Sequence, residues 1–289
     1  MNPPIFEYFA PTGIDEVIDI LAKYPGEAKI LAGGQSLIPL LKSRISSIPY
    51  LVSLSEVKGL SYVDEGKEGV RIGAMTVDSD LENSELIKKR FPLLHDATGQ
   101  LADPLVRNVG TIGGNLSHAD PANDLPAVMI ALDARFTLRG RNGSREINAR
   151  DFFLDTFTTT MEPEEVLTEV TIPFWGKKSG GAYVKFKKNT WNFSVAAVAV
   201  QLELEGNICT KAHIATTSVS PKSGRMESAE NILVGKALTD EVISKAASEV
   251  AASAEPTTDP YGTEEYKREI LRRITREAIG KALSRAGVN

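Results

Sequence analysis

The chain contains a single cysteine, Cys209, among its 289 residues. One cysteine excludes an intrachain disulfide, and it cannot by itself hold an iron–sulfur cluster, which needs several thiolate ligands. The three histidines, His95, His118 and His213, include no pair at the spacing of metal ligands on a helix. We therefore expect no metal site in this chain. Cys209 is interpreted as a buried apolar residue, and His118 as a loop or helix-capping histidine.

Basic charge and long apolar runs are also scarce. The net charge of −5 argues against nucleic-acid binding, which usually needs a basic surface. No apolar run approaches the roughly 20 residues that span a bilayer. Residues 1–7 have neither the basic nor the apolar part of a secretory signal, although export beside a signal-bearing partner stays open. The hydrophobic fraction of 42% and the charged fraction of 25% are ordinary for a globular protein.

Apolar periodicity divides the chain into three units, as its length also favours. Residues 1–55 alternate strand-like and helix-like segments, which predicts a β-α-β-turn-α-β unit. Residues 56–176 contain two predicted hairpins and several helices, one of which is expected to begin with Thr76 or Asp78 as its cap. Residues 177–289 start with a Lys-Lys-Ser-Gly-Gly linker candidate, followed by three antiparallel strands and helices. The pattern predicts an α+β protein.

Two segments place adjacent glycines next to small residues that carry hydrogen-bond donors. They are 32–36, Ala-Gly-Gly-Gln-Ser, and 111–115, Thr-Ile-Gly-Gly-Asn. Residues without a Cβ let the main chain approach a ligand and turn its N–H groups toward an anion. Since each segment leads into a helix-like stretch, the pair predicts a two-walled cradle for a diphosphate. Two tight turns without a ligand are the alternative. Neither a P-loop pattern nor the dinucleotide-binding G-x-G-x-x-G pattern is present.

The remaining candidate residues each have more than one interpretation. Asp120 and Asp124 are four residues apart and could act as an acid–base pair, cap a helix, or accept hydrogen bonds from a ligand's ribose or ring N–H groups. Lys185 could reach an anionic ligand or lie exposed on a strand. Trp191 and Phe193 could shield an aromatic ligand or pack in the core. No nucleophile–base pair stands out by spacing, so any chemistry is expected to come from a cofactor.

Both glycine segments resemble sequence motifs of a known family. Residues 32–44 and 111–126 are similar to the two FAD motifs of the medium, flavin-carrying subunit of molybdenum hydroxylases. That family includes the flavoproteins of carbon monoxide dehydrogenase, aldehyde and glyceraldehyde oxidoreductases and N-heterocycle hydroxylases, and the middle part of xanthine dehydrogenase. The resemblance covers nearly the whole chain. It implies a two-subdomain FAD-binding fold of the vanillyl-alcohol-oxidase type, followed by a C-terminal domain with a three-stranded antiparallel sheet and helices.

The resemblance also implies roles for individual residues. The N–H groups of 33–36 would hold the diphosphate from one side, and 111–115 would close on it from the other. Asp124 would bond the ribose or ribityl portion, and Lys185 would approach the flavin ring, with Lys187 as its substitute. The residues that the resemblance assigns to the cofactor are Lys29, Ile30, Leu31, Ala32, Gly33, Gly34, Gln35, Ser36, Leu37, Leu101, Ala102, Thr111, Ile112, Gly113, Gly114, Asn115, His118, Asp124, Leu167 and Lys185. No catalytic residue is expected.

Partners follow from the same resemblance. The family's complexes contain a large subunit with a molybdenum–pterin cofactor and a small subunit with two 2Fe–2S clusters, and a dimer of such heterotrimers is one option. The overall reaction would be oxidation of an aldehyde, for example glyceraldehyde, or hydroxylation of an N-heterocycle. Carbon monoxide dehydrogenase is an alternative, although Gln35 stands where those enzymes have histidine. A self-standing flavin oxidoreductase and a flavin-free scaffold are the others. A cytoplasmic location, with the inner face of the membrane as an option, is expected.

Overall fold

The computed structural model describes residues 2–189 and 193–287. These residues form helices and four β-sheets, three of which organise successive parts of the chain. The predicted α+β class is therefore confirmed. Within the described ranges, no helix is long and apolar enough to cross a membrane.

The first unit is a small parallel sheet with two helices. Its elements are β1 (Glu7–Phe9), α1 (Ile14–Lys23), β2 (Ala28–Leu31), α2 (Leu37–Ser43) and β3 (Tyr50–Ser53). This is the order predicted from the sequence. β3 lies between β1 and β2 and pairs with both in parallel. Val17, Ile18 and Leu21 of α1 are buried, at the spacing of one helix face. The chain leaves β2 directly into the first glycine segment.

The second unit carries most of the helices. Its elements are β4 (Val63–Glu65), β5 (Gly69–Gly73), α3 (Asp78–Asn83), α4 (Glu85–Arg90), α5 (Pro92–Thr98), α6 (Pro104–Arg107), α7 (Ile112–His118), α8 (Asp124–Ala131), β6 (Arg135–Gly140), β7 (Gly143–Asn148), α9 (Ala149–Phe152), β8 (Phe153–Asp155), β9 (Thr158–Thr159) and β10 (Val166–Pro173). Five strands form one sheet in the order β4-β5-β10-β6-β7, which contains both predicted hairpins. All residues of α8 are buried, so this helix lies at the centre of the molecule.

The cap predicted for α3 is wrong. The residue before the helix is Val77, and no side chain caps it. Thr76 is instead tied to the preceding hairpin, because its hydroxyl bonds both the N–H and the carbonyl of Tyr62. Asp78 is the first helical residue, and its carboxyl group is buried.

The third unit is an antiparallel sheet covered by helices. Its elements are β11 (Ser179–Phe186), β12 (Ala196–Glu205), β13 (Ile208–Thr217), β14 (Gly224–Arg225), α10 (Glu227–Leu233), α11 (Asp240–Ser253) and α12 (Glu264–Arg285). The three predicted strands are present, and β14 adds a fourth of two residues. The linker candidate is only partly correct, since residues 179–181 belong to β11. A Cβ on Gly180 would lie 2.1 Å from the carbonyl oxygen of Ala282, so this glycine allows close packing on α12 rather than flexibility.

The two faces of the C-terminal sheet pack against different partners. Val198 and Val200 of β12 belong to the core shared with α11 and α12, whereas Ala197 and Ala199 belong to the core of the second unit. Successive strand residues point to opposite faces, which explains a run of apolar residues buried on both sides. The alanine face is thin, so α8 packs directly on β12 and β13. This packing brings β11 to the beginning of α8.

Candidate functional site

A cavity of about 710 Å³ lies where the three units meet. Both glycine segments line it, together with residues from β11 and from the segment between β8 and β10. Of the residues assigned to the cofactor from the sequence, all but Leu31 and Ile112 line this cavity. Those two are the apolar neighbours of the glycines, and Ile112 is fully buried in the core of the second unit.

The first wall of the cavity is the segment 32–36. Gly34 has φ of 71°, a left-handed conformation that favours glycine. The main-chain N–H groups of 33–36 donate to no acceptor within the described part of the chain, while the carbonyl groups of Gly34 and Ser36 accept bonds from α2. Because N–H groups need partners, this segment is suited to an anionic ligand.

The second wall, 111–115, is built differently from the expected turn. Gly113 and Gly114 lie in the first turn of α7, which Thr111 caps by accepting a bond from the N–H of Gly114 at 3.2 Å. The N–H groups of 112–115 all have protein acceptors. The free polar group of this wall is a side chain, since Oδ1 of Asn115 is buried without a partner. The second wall therefore offers side-chain groups, and the first wall offers main-chain donors.

Glycine allows the two walls to touch. A Cβ on Gly33 would lie 2.0 Å from the carbonyl oxygen of Val109, far inside contact distance. A Cβ on Gly113 would lie 2.6 Å from the Cβ of Ala74. A Cβ on Gly114 would lie 3.5 Å from the Cβ of Ala32 in the opposite wall. The paired glycines thus bring the backbones of separate units together around one cleft, which fits a dinucleotide lying between them.

A buried ion pair closes the cavity on the side of β11. Lys185 Nζ donates to Asp124 Oδ2 at 2.7 Å, and Tyr183 Oη donates to Asp124 Oδ1 at 2.5 Å. The side chains of Lys185 and Asp124 are 3% and 5% exposed. Burial and the negative charge of Asp124 raise the pKa of Tyr183, so the phenol stays a donor. Lys187 does not line the cavity among the described residues, and burial lowers its pKa.

The other carboxylate of the proposed pair is engaged locally. Asp120 Oδ1 accepts a bond from the N–H of Ala122 at 2.8 Å, which stabilises the turn before α8. Asp124 is the first residue of α8, and Asn123 precedes it as the cap residue without a side-chain cap bond. The geometry gives Asp120 and Asp124 separate partners, and an acid–base pair is not formed.

Two aromatic groups lie at the cavity. His118 ends α7 and its ring lies 5.1 Å from that of Phe157, and burial lowers the pKa of this histidine. Phe193 lines the cavity with 56% of its surface exposed, so the expectation of core packing is wrong for this residue. Trp191 lies outside the described residues. Cys209 is fully buried as expected, and burial raises its pKa to about 11.

Sequence reasoning missed several lining residues. The stretch 157–167 contributes Thr158, Thr159, Met161, Glu162, Pro163, Glu165 and Val166. It carries no motif, and only tertiary packing brings it to the cleft. Asp78 was also missed as a cavity residue, because a Thr-Val-Asp sequence before a helix is typical of a cap. Among the described residues, no cluster of histidine, cysteine and carboxylate side chains could hold a metal ion.

Asp78 has the most perturbed carboxyl group at the cavity. It is 2% exposed, and Oδ1 has no hydrogen-bond partner. Burial raises its pKa from the ordinary 3.8 to about 8, with the charge of Asp124 adding to the effect and that of Arg107 opposing it. Arg107 directs its donors to Glu82 and to the carbonyl of Leu101 instead. The carboxyl group is therefore protonated near neutral pH.

Replacing Asp78 with asparagine should stabilise the cofactor-free chain, and more at high pH than at low pH. Between 3.8 and about 8, the folded chain holds a proton that the unfolded chain has released, so stability falls as pH rises through this window. Asparagine does not titrate. We expect Asp78→Asn to raise the free energy of unfolding by about 1–3 kcal/mol near pH 8 and by less near pH 5. Urea unfolding at both pH values measures the difference.

Asp80 provides the matched control for this prediction. It lies on the same helix and is exposed, so Asp80→Asn should change the free energy of unfolding by less than about 0.5 kcal/mol at either pH. A gain for Asp78→Asn that is equal at both pH values would show that ionisation of this carboxyl does not affect folding.

Comparison with known proteins gives consistent matches along the chain. Residues 4–175 match the family described as the FAD-binding domain in molybdopterin dehydrogenase, and residues 181–282 match the CO dehydrogenase flavoprotein C-terminal domain. The chain is 39% identical to the carbon monoxide dehydrogenase medium chain of Hydrogenophaga pseudoflava, over 99% of both chains. It is 36% identical to the glyceraldehyde dehydrogenase medium chain of Sulfolobus acidocaldarius, over 96% of this chain and 99% of the relative.

A solved structure shows the same fold. The carbon monoxide dehydrogenase from Hydrogenophaga pseudoflava that lacks the Mo-pyranopterin moiety of the molybdenum cofactor superimposes with a TM-score of 0.96. The identity in that comparison is 40%, and 99% of each chain is covered.

Proposed function

Because the chain belongs to the family of FAD-binding domains of molybdopterin dehydrogenases, we propose that it is the FAD-carrying, electron-transferring subunit of a molybdenum hydroxylase complex. Bound FAD would supply the redox chemistry, by exchanging electrons between iron–sulfur clusters of a partner and an external acceptor. The observation that carries this proposal is the two-walled cleft, in which the N–H groups of 33–36 have no acceptor among the described residues. The chain itself contributes binding and orientation.

We propose that the first wall holds the pyrophosphate. The N–H groups of 33–36 belong to residues that line the cavity, and backbone donors in such a concavity bind phosphate oxygens without long side chains. Asn115 would supply its side-chain amide from the opposite wall. Leu101 and Leu167 line the cavity with apolar surface and would exclude water from the cofactor.

The flavin ring is proposed to lie toward β11. Lys185 is held at the cavity wall by Asp124, and its ammonium group would orient the polar edge of the ring. Both oxygens of Asp124 already accept protein bonds, from Tyr183 and Lys185. Each oxygen has a second lone pair, so the proposed contact of Asp124 with ribose or ribityl hydroxyl groups is compatible with these bonds.

The partners are proposed from the relatives, which are named medium chains of dehydrogenases. A medium chain implies larger and smaller partner chains, which would hold the molybdenum–pterin cofactor and the 2Fe–2S clusters. A dimer of heterotrimers and a cytoplasmic location stay predictions. We also propose 1–55, 56–176 and 177–289 as the three structural units, since each range contains its own main sheet.

The substrate of the complex is proposed to be an aldehyde or an N-heterocycle, as inferred from the first FAD motif. Carbon monoxide is the second candidate, favoured by the 39% identity to a carbon monoxide dehydrogenase medium chain. Gln35, which lines the cavity, is the departure from the carbon monoxide enzymes. Turnover of carbon monoxide, glyceraldehyde and quinoline by the purified complex, with an artificial electron acceptor, would decide between them.

The complex isolated through a tag on this chain should contain flavin and iron–sulfur absorption bands. The chain separated from its partners should retain only the flavin bands, because it has one cysteine and so cannot hold a cluster alone. Visible spectra and quantitation of FAD released by denaturation test this. A colourless chain that releases no FAD and does not take it up would overturn the proposal.

A further inference from the structure

Asp78 lies at the part of the cavity where the second wall begins. Its N–H donates to the carbonyl of Gly110 at 2.9 Å, and Val77 pairs with Thr111 in an isolated bridge. A Cβ on Gly110 would lie 2.8 Å from Asp78 Oδ2, so the carboxyl group lies against the backbone that leads into the second wall. Asp78, Gly110 and Thr111 all line the cavity.

The carboxyl group has no hydrogen bond to any described residue. A buried polar group without a partner costs about 1–3 kcal/mol, and native structures rarely retain one without a function. The missing partner is therefore expected to come from whatever fills the cavity.

The surrounding charges favour the neutral acid over the carboxylate. Asp124 on α8 repels a second negative charge, and its own charge is shared between Lys185 and Tyr183. Arg107 on α6 attracts, but its guanidinium group bonds Glu82 on α3. A pyrophosphate in the same cleft would add further negative charge. A protonated carboxyl group, in contrast, can donate to the many acceptor oxygens of a dinucleotide.

We infer that Asp78 is a further FAD-binding residue, whose protonated carboxyl group donates a hydrogen bond to an acceptor oxygen of the bound cofactor. This inference rests on the proposed function. The consequence is a proton-dependent affinity: the chain binds FAD in the form that carries a proton on Asp78, and ionisation of this group before binding opposes it. The pKa of about 8 places this dependence within an accessible range.

The test measures FAD affinity of the full chain after removal of its cofactor. Titration by flavin fluorescence should show affinity about tenfold weaker near pH 9 than near pH 7, since one pKa unit corresponds to a factor of ten. Asp78→Asn keeps a donor that cannot ionise, and its affinity should change less than about twofold over this range. Asp78→Leu removes the donor and should bind about two- to tenfold more weakly than Asp78→Asn near pH 7.

Asp80→Asn is the matched control and should retain the pH profile of the unmodified chain. Because the ligand and all other titrating groups are the same in each protein, the comparison isolates Asp78. Infrared difference spectra should also show a protonated carboxylic acid band near pH 7 that Asp78→Asn lacks. Identical pH profiles for the unmodified chain and Asp78→Asn would overturn the inference. Failure of the unmodified chain to bind FAD at any pH would instead overturn the proposed function.

Discussion

Replacing Gly33 with alanine should leave the purified chain without bound FAD. The new Cβ would lie 2.0 Å from the carbonyl oxygen of Val109, and neither is a flexible group that can rotate away. The first wall must therefore move away from the second, and the N–H groups of 33–36 move with it. Precise placement of such donors is what makes a backbone anion site bind. We expect FAD content to fall by more than about tenfold, a cost of about 1.4 kcal/mol or more in binding.

Two other glycines calibrate this result. A Cβ on Gly13 would have no atom within 4 Å, and this glycine has no positive φ, so Gly13→Ala should keep its FAD. At Gly114 the nearest atom is Thr111 Oγ1 at 2.9 Å, a side-chain oxygen that can rotate, so Gly114→Ala should lose less FAD than Gly33→Ala. Flavin-to-protein absorbance ratios after gel filtration give the comparison. Full FAD content in Gly33→Ala, with unchanged circular dichroism, would refute close contact of the walls as a requirement.

Replacing Lys185 with methionine should destabilise the cofactor-free chain by about 3–5 kcal/mol. The ammonium group forms a buried pair with Asp124 at 2.7 Å, and removing it leaves a buried carboxylate with only Tyr183 as partner. The double variant Lys185→Met/Asp124→Asn removes both charges but keeps an oxygen that accepts from Tyr183. It should recover most of the loss, because the cost comes from the unpaired charge rather than from the missing contact.

Urea unfolding of the two variants measures this coupling. Lys178→Met serves as a control, since Lys178 is exposed just before β11 and should change stability by less than about 0.5 kcal/mol. If the double variant is as unstable as Lys185→Met, the loss comes from packing around the lysine stem, and the buried pair does not determine the stability of this site.

Local signals predicted most of the elements that carry the cleft. Apolar periodicity and turn residues indicated the first unit, both hairpins and the three long strands of the third, because each is determined by neighbours close in the chain. The helix cap at α3 was missed because Thr76 is held by Tyr62, fourteen residues earlier in the chain. The linker was overestimated because glycine gives the same sequence signal for flexibility and for close packing, and Gly180 packs on α12.

The site divides in the same way. The sequence by itself determined the two glycine segments, the family they indicate and the lack of cysteine ligands, since these depend on residue identity and short spacing. Only the tertiary structure decided which groups are free to act. Among the described residues, it placed the unsatisfied N–H groups on the first wall alone, paired Asp124 with Lys185 across separate units, and buried Asp78 without a partner. Burial and partners depend on residues far apart in the chain, and these set charge, protonation and the hydrogen bonds left for a cofactor.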